Sequence, residues 1–422
     1  MTQRRVSAHS LKNATQTGRT NSSMTTESEI TLPLEGLKIL DLSRVLAGPF
    51  CCALMGEQGA DVIKVERPVT GDENRRWGDL WHGESIDFMN VNRNKRGITV
   101  DLKSDMGQEI IRKLAGWADV LVESFPPGKV EKFGLDYPNL KEVNKRLVYC
   151  SLSAFGDKGE LRSKPGYDGT LQAFSGHMLI TGEADGGPVR TGASVIDMST
   201  GFTAYSAIMT ALWAREKSGR GQRVMVSLLQ TALSVMGSHA AVFLNTGHQP
   251  KRAGGGLSHL SPYGAYKTKD GYISAGALSQ DAWIRFCRAL GRDDLTREAC
   301  FADLPQRLEN KKQLDDILNE SFLQKTSAEW IERFEAEKVV IAPINSLSQS
   351  LGHPQVEANN LIVSTDHPHG NLKLVGLPFS HDGKKTKPQR PPPLLGQHTN
   401  EILMEFGYSL AEIKTLRKDG AI

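Results

Sequence analysis

From Leu34 onward the chain alternates short apolar runs of strand length with longer stretches of helical spacing. The alternation in LKILDLS (37–43) reads as a buried strand, followed by a short helix over GPFCCALMGEQGA and a second strand, DVIKVE. That is a βαβ unit within about thirty residues. The same alternation returns in GITVDLK, a helix around GQEIIRKLAGWA, the strand DVLVES and RLVYCSLSAFG. An open, parallel, Rossmann-like α/β sheet is the architecture this order predicts. A long helical pattern, GFTAYSAIMTALWAREKSGRGQ, then closes on a basic, glycine-containing stop, and QRVMVSLLQTALSVMGSHAAVFL supplies a further strand and helix.

Near Asn245 the pattern changes to the loop chemistry of TGHQPKRAGGGLSHLSPYG, then to a hairpin around Lys269–Gly271 and charged helices up to Glu337. The expected division is a large α/β domain over 31–225, a smaller α+β domain over 240–330, and a return to the large domain over 340–422, including VVIAPINSL. Residues 1–30 are polar and rich in Ser and Thr, with Arg4, Arg5, Lys12 and Arg19 but no acid before Glu27. They read as a disordered leader, a mitochondrial presequence, or an extension ahead of a true start at Met24. The compartment expected is the cytoplasm, or the mitochondrial matrix if the leader is a presequence.

A length of 422 residues suits more than one core. The net charge of +3 provides no global field for nucleic acid or a membrane surface, so neither is an expected partner. No run approaches the ~18 apolar residues of a membrane span. The five cysteines lack CxxC spacing, and adjacent Cys51 and Cys52 read as buried small hydrophobes. No His/Cys cluster has metal spacing, so no metal is expected, and neither GxSxG nor HExxH occurs. The glycines between the first two strands superficially mimic a dinucleotide turn, but there is no GxGxxG and Pro49 occupies the turn.

Two features carry candidate chemistry. Basic residues cluster on strand-end loops: Arg67, the run Asn92–Arg96, Lys129 and Lys132. Such loops converge at one sheet edge and can meet the phosphates of an extended ligand, or can simply be solvated. Asp197, in TGASVIDMSTGF, stands at the head of the long helix, with Asp168 of PGYDGTLQA as a companion. As an N-cap it satisfies backbone amides; as a nucleophile it is a carboxylate kept ionised by those amides and the positive helix end. Both readings predict the same residue type.

The ordered motifs LEGLKILDLSRVLAGPF, GEQGADVIKVERP, NRNKRGITVDLK, DVLVESFPPG, PGYDGTLQAFSG, TGASVIDMSTG, KSGRGQRVMVSL and RPPPLLGQHTNEIL resemble the class III CoA-transferases, the carnitine and bile-acid CoA-transferase family. The resemblance implies an interlocked homodimer and a coenzyme A thioester as substrate, with no tightly bound cofactor. It implies Asp197 as the catalytic carboxylate, and CoA contacts at Val45, Arg67, Asn94, Lys95, Phe125, Lys132 and Tyr167. Leu46 stands where a glutamine is common in the family, and Gly254, Gly255 and Gly256 resemble its glycine-rich lid loop. The implied mechanism is covalent, through an aspartyl anhydride and an aspartyl-CoA thioester. Oxyanion donors are expected from the Gly254–Gly256 amides or the helix start.

SPYGAYKTKDGYI and RPPPLLGQHT look most like members that pair succinyl-CoA with dicarboxylic acids such as glutarate, malate, citramalate or itaconate. Arg190 is then either a partner for a distal carboxylate or a surface loop residue. The α-methylacyl-CoA racemases share the fold but use a GHD triplet. Here the triplet is Gly166-Tyr167-Asp168, and a phenol with an ordinary pKa of about 10 is a poor second base. A non-catalytic CoA-binding protein is the alternative from another class.

Overall fold

A computed structural model describes residues 32–422; the leader of residues 1–30 lies outside them. Six strands form the main sheet: β1 (Lys38–Asp41), β2 (Asp61–Glu66), β3 (Lys95–Thr99), β4 (Val120–Glu123), β5 (Val148–Ser153) and β6 (Arg223–Ser227). Every neighbouring pair is parallel and the spatial order is β3-β2-β1-β4-β5-β6, the doubly wound order expected of a Rossmann-like sheet. Successive side chains of one strand point to opposite faces, so each strand feeds two cores. Ile39, Val62, Val120 and Val122 pack with Cys51, Cys52, Met55, Ala204 and Ile208 on one side. Leu40, Ile63, Ile98 and Leu121 pack with Ile110, Leu114, Ile402 and Leu416 on the other.

The helices of the first face are α1 (Ala47–Glu57) and the long helix, here α4 (Val195–Ser218). Between them in sequence lie α2 (Asp105–Trp117) on the second face and the short α3 (Asp168–Phe174). The α1–α4 crossing depends on Gly201, where an added Cβ would lie 2.7 Å from Phe50 Cδ1 and 2.8 Å from the Ala47 carbonyl oxygen.

Trp283, Phe286, Leu318, Phe322, Trp330 and Phe334 form a separate core. These side chains pack on an antiparallel sheet of β7 (Tyr263–Lys267), β8 (Tyr272–Gly276) and β9 (Val340–Pro343), in the order β9-β8-β7. The hairpin between β7 and β8 is the one the sequence suggested. Val340–Pro343 belongs to this small sheet rather than to the returning segment, because its backbone completes the open edge of β8. A separate hairpin, β10 (Ile362–His367) with β11 (Gly370–Val375), follows. The tail then closes on the large domain. Gly97 N–H donates to His398 Nδ1 at 3.0 Å, Asp101 N–H donates to the Ala421 carbonyl at 2.8 Å, and Ile402, Leu403 and Ile422 enter the core. Among the described residues no helix is long and apolar enough to cross a membrane.

Candidate active site

In a parallel sheet of this order, ligands sit beyond the carboxyl ends of the strands, where β1 and its neighbour send their connections opposite ways. Two adjoining cavities occupy that place. The first, of about 700 Å³ including space open to solvent, is lined by Arg67 after β2, Lys103 after β3, and Phe125 and Lys129 after β4. The second, of about 830 Å³, is lined by Val45 after β1, Arg162, Lys164 and Tyr167 after β5, and Asp197 of α4. Arg44 and Phe125 line both, so the two form one groove from a basic mouth to a buried carboxylate.

The junction is held by specific bonds. The Arg44 guanidinium pairs with Glu73 at 2.5 Å and lies 5.4 Å from the Phe125 ring centre. Phe125 is seated by its N–H donating to Glu123 Oε2 at 2.8 Å. Val45 adopts φ +68°, a conformation β-branched residues avoid. It is held there by its N–H donating to the Asp72 carboxylate at 3.1 Å and by Asn74 Nδ2 donating to its carbonyl at 2.6 Å. Asp72 is in turn paired with the fully buried Lys64 at 3.1 Å. Such imposed backbone strain gathers at functional sites.

Asp197 is 8% exposed and stands in the first turn of α4, the third residue of the helix rather than its cap. Asp168 at the start of α3 supplies the cap. Its Oδ2 accepts the Ile196 N–H at 2.8 Å and the Asp197 N–H at 3.2 Å. The Val195 N–H donates to the Ala193 carbonyl and the Met198 N–H to the Ser194 carbonyl. The first four amides of the helix are therefore committed, and none is left for the Asp197 carboxylate or for an oxyanion. This corrects the expectation that the helix start keeps Asp197 ionised. Burial, with the Asp168 charge beside it, pushes the Asp197 carboxyl up to about 7.

A groove that begins among cations, runs past an aromatic neck and ends at a buried carboxylate suits an extended anionic thioester. Sequence comparison agrees: residues 34–399 match the profile of CoA-transferase family III. This chain belongs to that family. It is 40% identical over 375 residues to a succinyl-CoA:glutarate CoA-transferase of Homo sapiens, covering 88% of this chain and 86% of the human one. It is 30% identical over 406 residues to the succinyl-CoA–L-malate CoA-transferase beta subunit of Chloroflexus aurantiacus, covering 93% and 98%. A solved structure of a CAIB/BAIF family protein from Brucella suis superposes with a TM-score of 0.80 at 32% identity, covering 89% of this chain and all of that one.

Of the residues that the family resemblance singles out, the transferase brings Val45, Arg67, Phe125, Tyr167 and Asp197 to the groove. Lys132 lies exposed on a short 3-10 turn beside Phe133, while Lys129 supplies the lining cation of that segment. Asn94 and Lys95 are elsewhere. Asn94 ties the C-terminal segment down, its Oδ1 accepting the Arg390 N–H at 3.0 Å. Lys95 is fully buried, donating to Asp41 at 2.8 Å and to the Pro49 carbonyl at 2.8 Å. Both stand at the amino end of β3, and the groove lies at the carboxyl end.

Arg190 reaches Asp168 Oδ1 at 3.6 Å while remaining 47% exposed along its side chain. The glycine loop is partly committed, since Gly254 N–H donates to the Gly182 carbonyl and Gly256 N–H to the Ala253 carbonyl; Gly255 packs close to Ala265. Sequence reasoning passed over Arg44, Lys103, Arg162 and Lys164, although each follows a strand and the same strand-end signal marks them.

Proposed function

We propose that this transferase moves CoA from succinyl-CoA to a dicarboxylic acid, glutarate foremost, through covalent intermediates on Asp197. The observation that carries this reading is the continuous groove joining Arg67, Lys103 and Lys129 to Asp197 through the Arg44–Phe125 neck. Surface cations at the mouth suit the phosphates of CoA, and the neck suits its slim pantetheine arm. The Asp197 carboxylate attacks the thioester carbonyl, the carbon–sulfur bond breaks, and CoA leaves as the thiolate. Return of the thiolate to the aspartyl carbonyl frees the donor acid and leaves an aspartyl-CoA thioester. The acceptor carboxylate attacks that carbonyl and expels CoA thiolate, which then attacks the acceptor's acyl carbon in the new anhydride, giving acceptor-CoA and free Asp197.

The choice of acids is supported by the names of the human and Chloroflexus relatives and by Arg190, which is close to the site yet half-exposed. A screen of acceptor acids with succinyl-CoA as donor is expected to favour dicarboxylates; preference for monocarboxylates such as formate or carnitine would reject that choice. Asp197→Ala is expected to lower turnover at least about 10³-fold and to abolish the hydroxylamine-sensitive adduct that the native enzyme forms.

We also propose a homodimer, interlocked as in the family this chain resembles. The helix Ser238–Thr246 buries none of its side chains, and Val242, Phe243 and Leu244 point outward, as does Trp213 of α4. An apolar surface of this kind is the mark of an interface, and a second copy of the chain is the occupant this reading assigns.

A further inference from the structure

The start of α4 could be capped by its own Ser194, whose side chain makes no capping bond. Instead the structure uses a second carboxylate. Asp168, 4% exposed, accepts the Ile196 and Asp197 amides through Oδ2. Its Oδ1 accepts Gln172 Nε2 at 2.6 Å and faces Arg190 Nη2 at 3.6 Å. Gln172 Oε1 accepts the Thr191 N–H at 3.0 Å, so the segment leading into α4 is tied to the same centre. A hydroxyl cap would satisfy these amides without placing a negative charge against the site. The arrangement seats the Asp197 backbone and opposes its side-chain charge with one group.

We propose that Asp168 is a positioning residue that holds the helix start and, by its charge, favours the acylated over the free state of Asp197. This rests on the reading of Asp197 as the nucleophile. When an Asp197 oxygen bonds to the thioester carbon and the carbon–sulfur bond breaks, the electron pair leaves on the CoA thiolate. Asp197 becomes a neutral acyl group, and the opposition between two buried carboxylates ends. The Asp168 carboxylate keeps both amide bonds throughout, so relief needs no movement of the backbone. Other charged or titratable groups share the setting. Arg44, Glu73, Arg162, Lys164 and Tyr167 line the groove in front of Asp197, and Arg190 and His177 stand with Asp168 behind it. Of the rear groups, Arg190 offsets the Asp168 charge, and burial holds His177 toward its neutral form.

The test is single-turnover acylation of the full-length enzyme by succinyl-CoA without acceptor, followed against pH by hydroxylamine trapping. Asp168→Asn keeps an oxygen for the two amides and removes the charge, so the acid limb of the rate is expected to fall by about 1 pH unit or more. The acyl-enzyme fraction at pH 8 is expected to drop roughly tenfold. Arg190→Gln, at a half-exposed position, leaves Asp168 unopposed and is expected to move the limb the other way. Asp168→Ala, lacking the cap as well, is expected to lose rate at all pH values.

A purely structural role predicts lower rates for Asn and Ala alike with the limb unmoved in either variant, and that result overturns the proposal. If Asp168→Asn does not fold, an acid limb unmoved or lowered in Arg190→Gln overturns it alone. Absence of any adduct on native Asp197 would instead reject the nucleophile reading itself.

Discussion

At the scale of single residues, Asp197 and Lys95 show how environment decides the work of a charged side chain. Asp197 has a folded-state pKa of about 7 against an unfolded value near 3.8. Between those values the folded chain holds a proton that the unfolded chain has released, so its contribution to stability falls as pH rises through that window. Asp197→Asn is therefore expected to stabilise the fold by roughly 2 to 4 kcal/mol at pH 8, a gain that shrinks by more than half at pH 5. Urea denaturation at the two pH values measures it. Lys95 is the opposite case, a cation fully buried against Asp41. Lys95→Met is expected to cost about 3 to 5 kcal/mol while leaving the KM for acyl-CoA of the folded fraction unchanged. Lys103→Ala and Lys129→Ala, at the groove mouth, should each raise that KM roughly three- to tenfold with little loss of stability.

At the scale of elements, the direction of each strand separates the two groups. The order of strands and helices was readable from apolar periodicity, and β1, β2 and β4 fall within the runs that suggested them. Strand polarity was readable too, since a parallel sheet puts all carboxyl ends together. The basic run from Asn92 to Arg96 leads into the amino end of β3, and its members bind Glu57, Asp41, Asp61, Glu405 and the backbone near Arg390. Residues after β3 and β5, Lys103, Arg162 and Lys164, line the groove instead. Asp197 looked like a cap because nothing in TGASVIDMSTGF reveals that Asp168 supplies one from 29 positions away. The α1–α4 crossing tests the same scale. Gly201→Ala is expected to cost about 1 to 3 kcal/mol in chemical denaturation and to lower activity, because it forces apart the helix carrying Asp197 and the helix behind Val45.

At the scale of the molecule, three cores and an exposed apolar helix bear on the proposed dimer. The aromatic core around Phe322 is separate from the two cores of the main sheet. The Ser238–Thr246 helix stands outside all of them. Light scattering is expected to show twice the chain mass, and Phe243→Asp with Val242→Asp to lower that mass or the yield of folded protein.

Periodicity, glycine placement and ordered motifs determined the α/β class, the sheet, the small-domain hairpin and the carboxylate that ends the groove, because each depends on neighbours within a few residues. Which charges line the groove, which are consumed inside the fold, and how strongly Asp197 holds its proton were decided only when distant segments met. Burial and the approach of Asp168 are properties of that meeting, and no local stretch of sequence contains them.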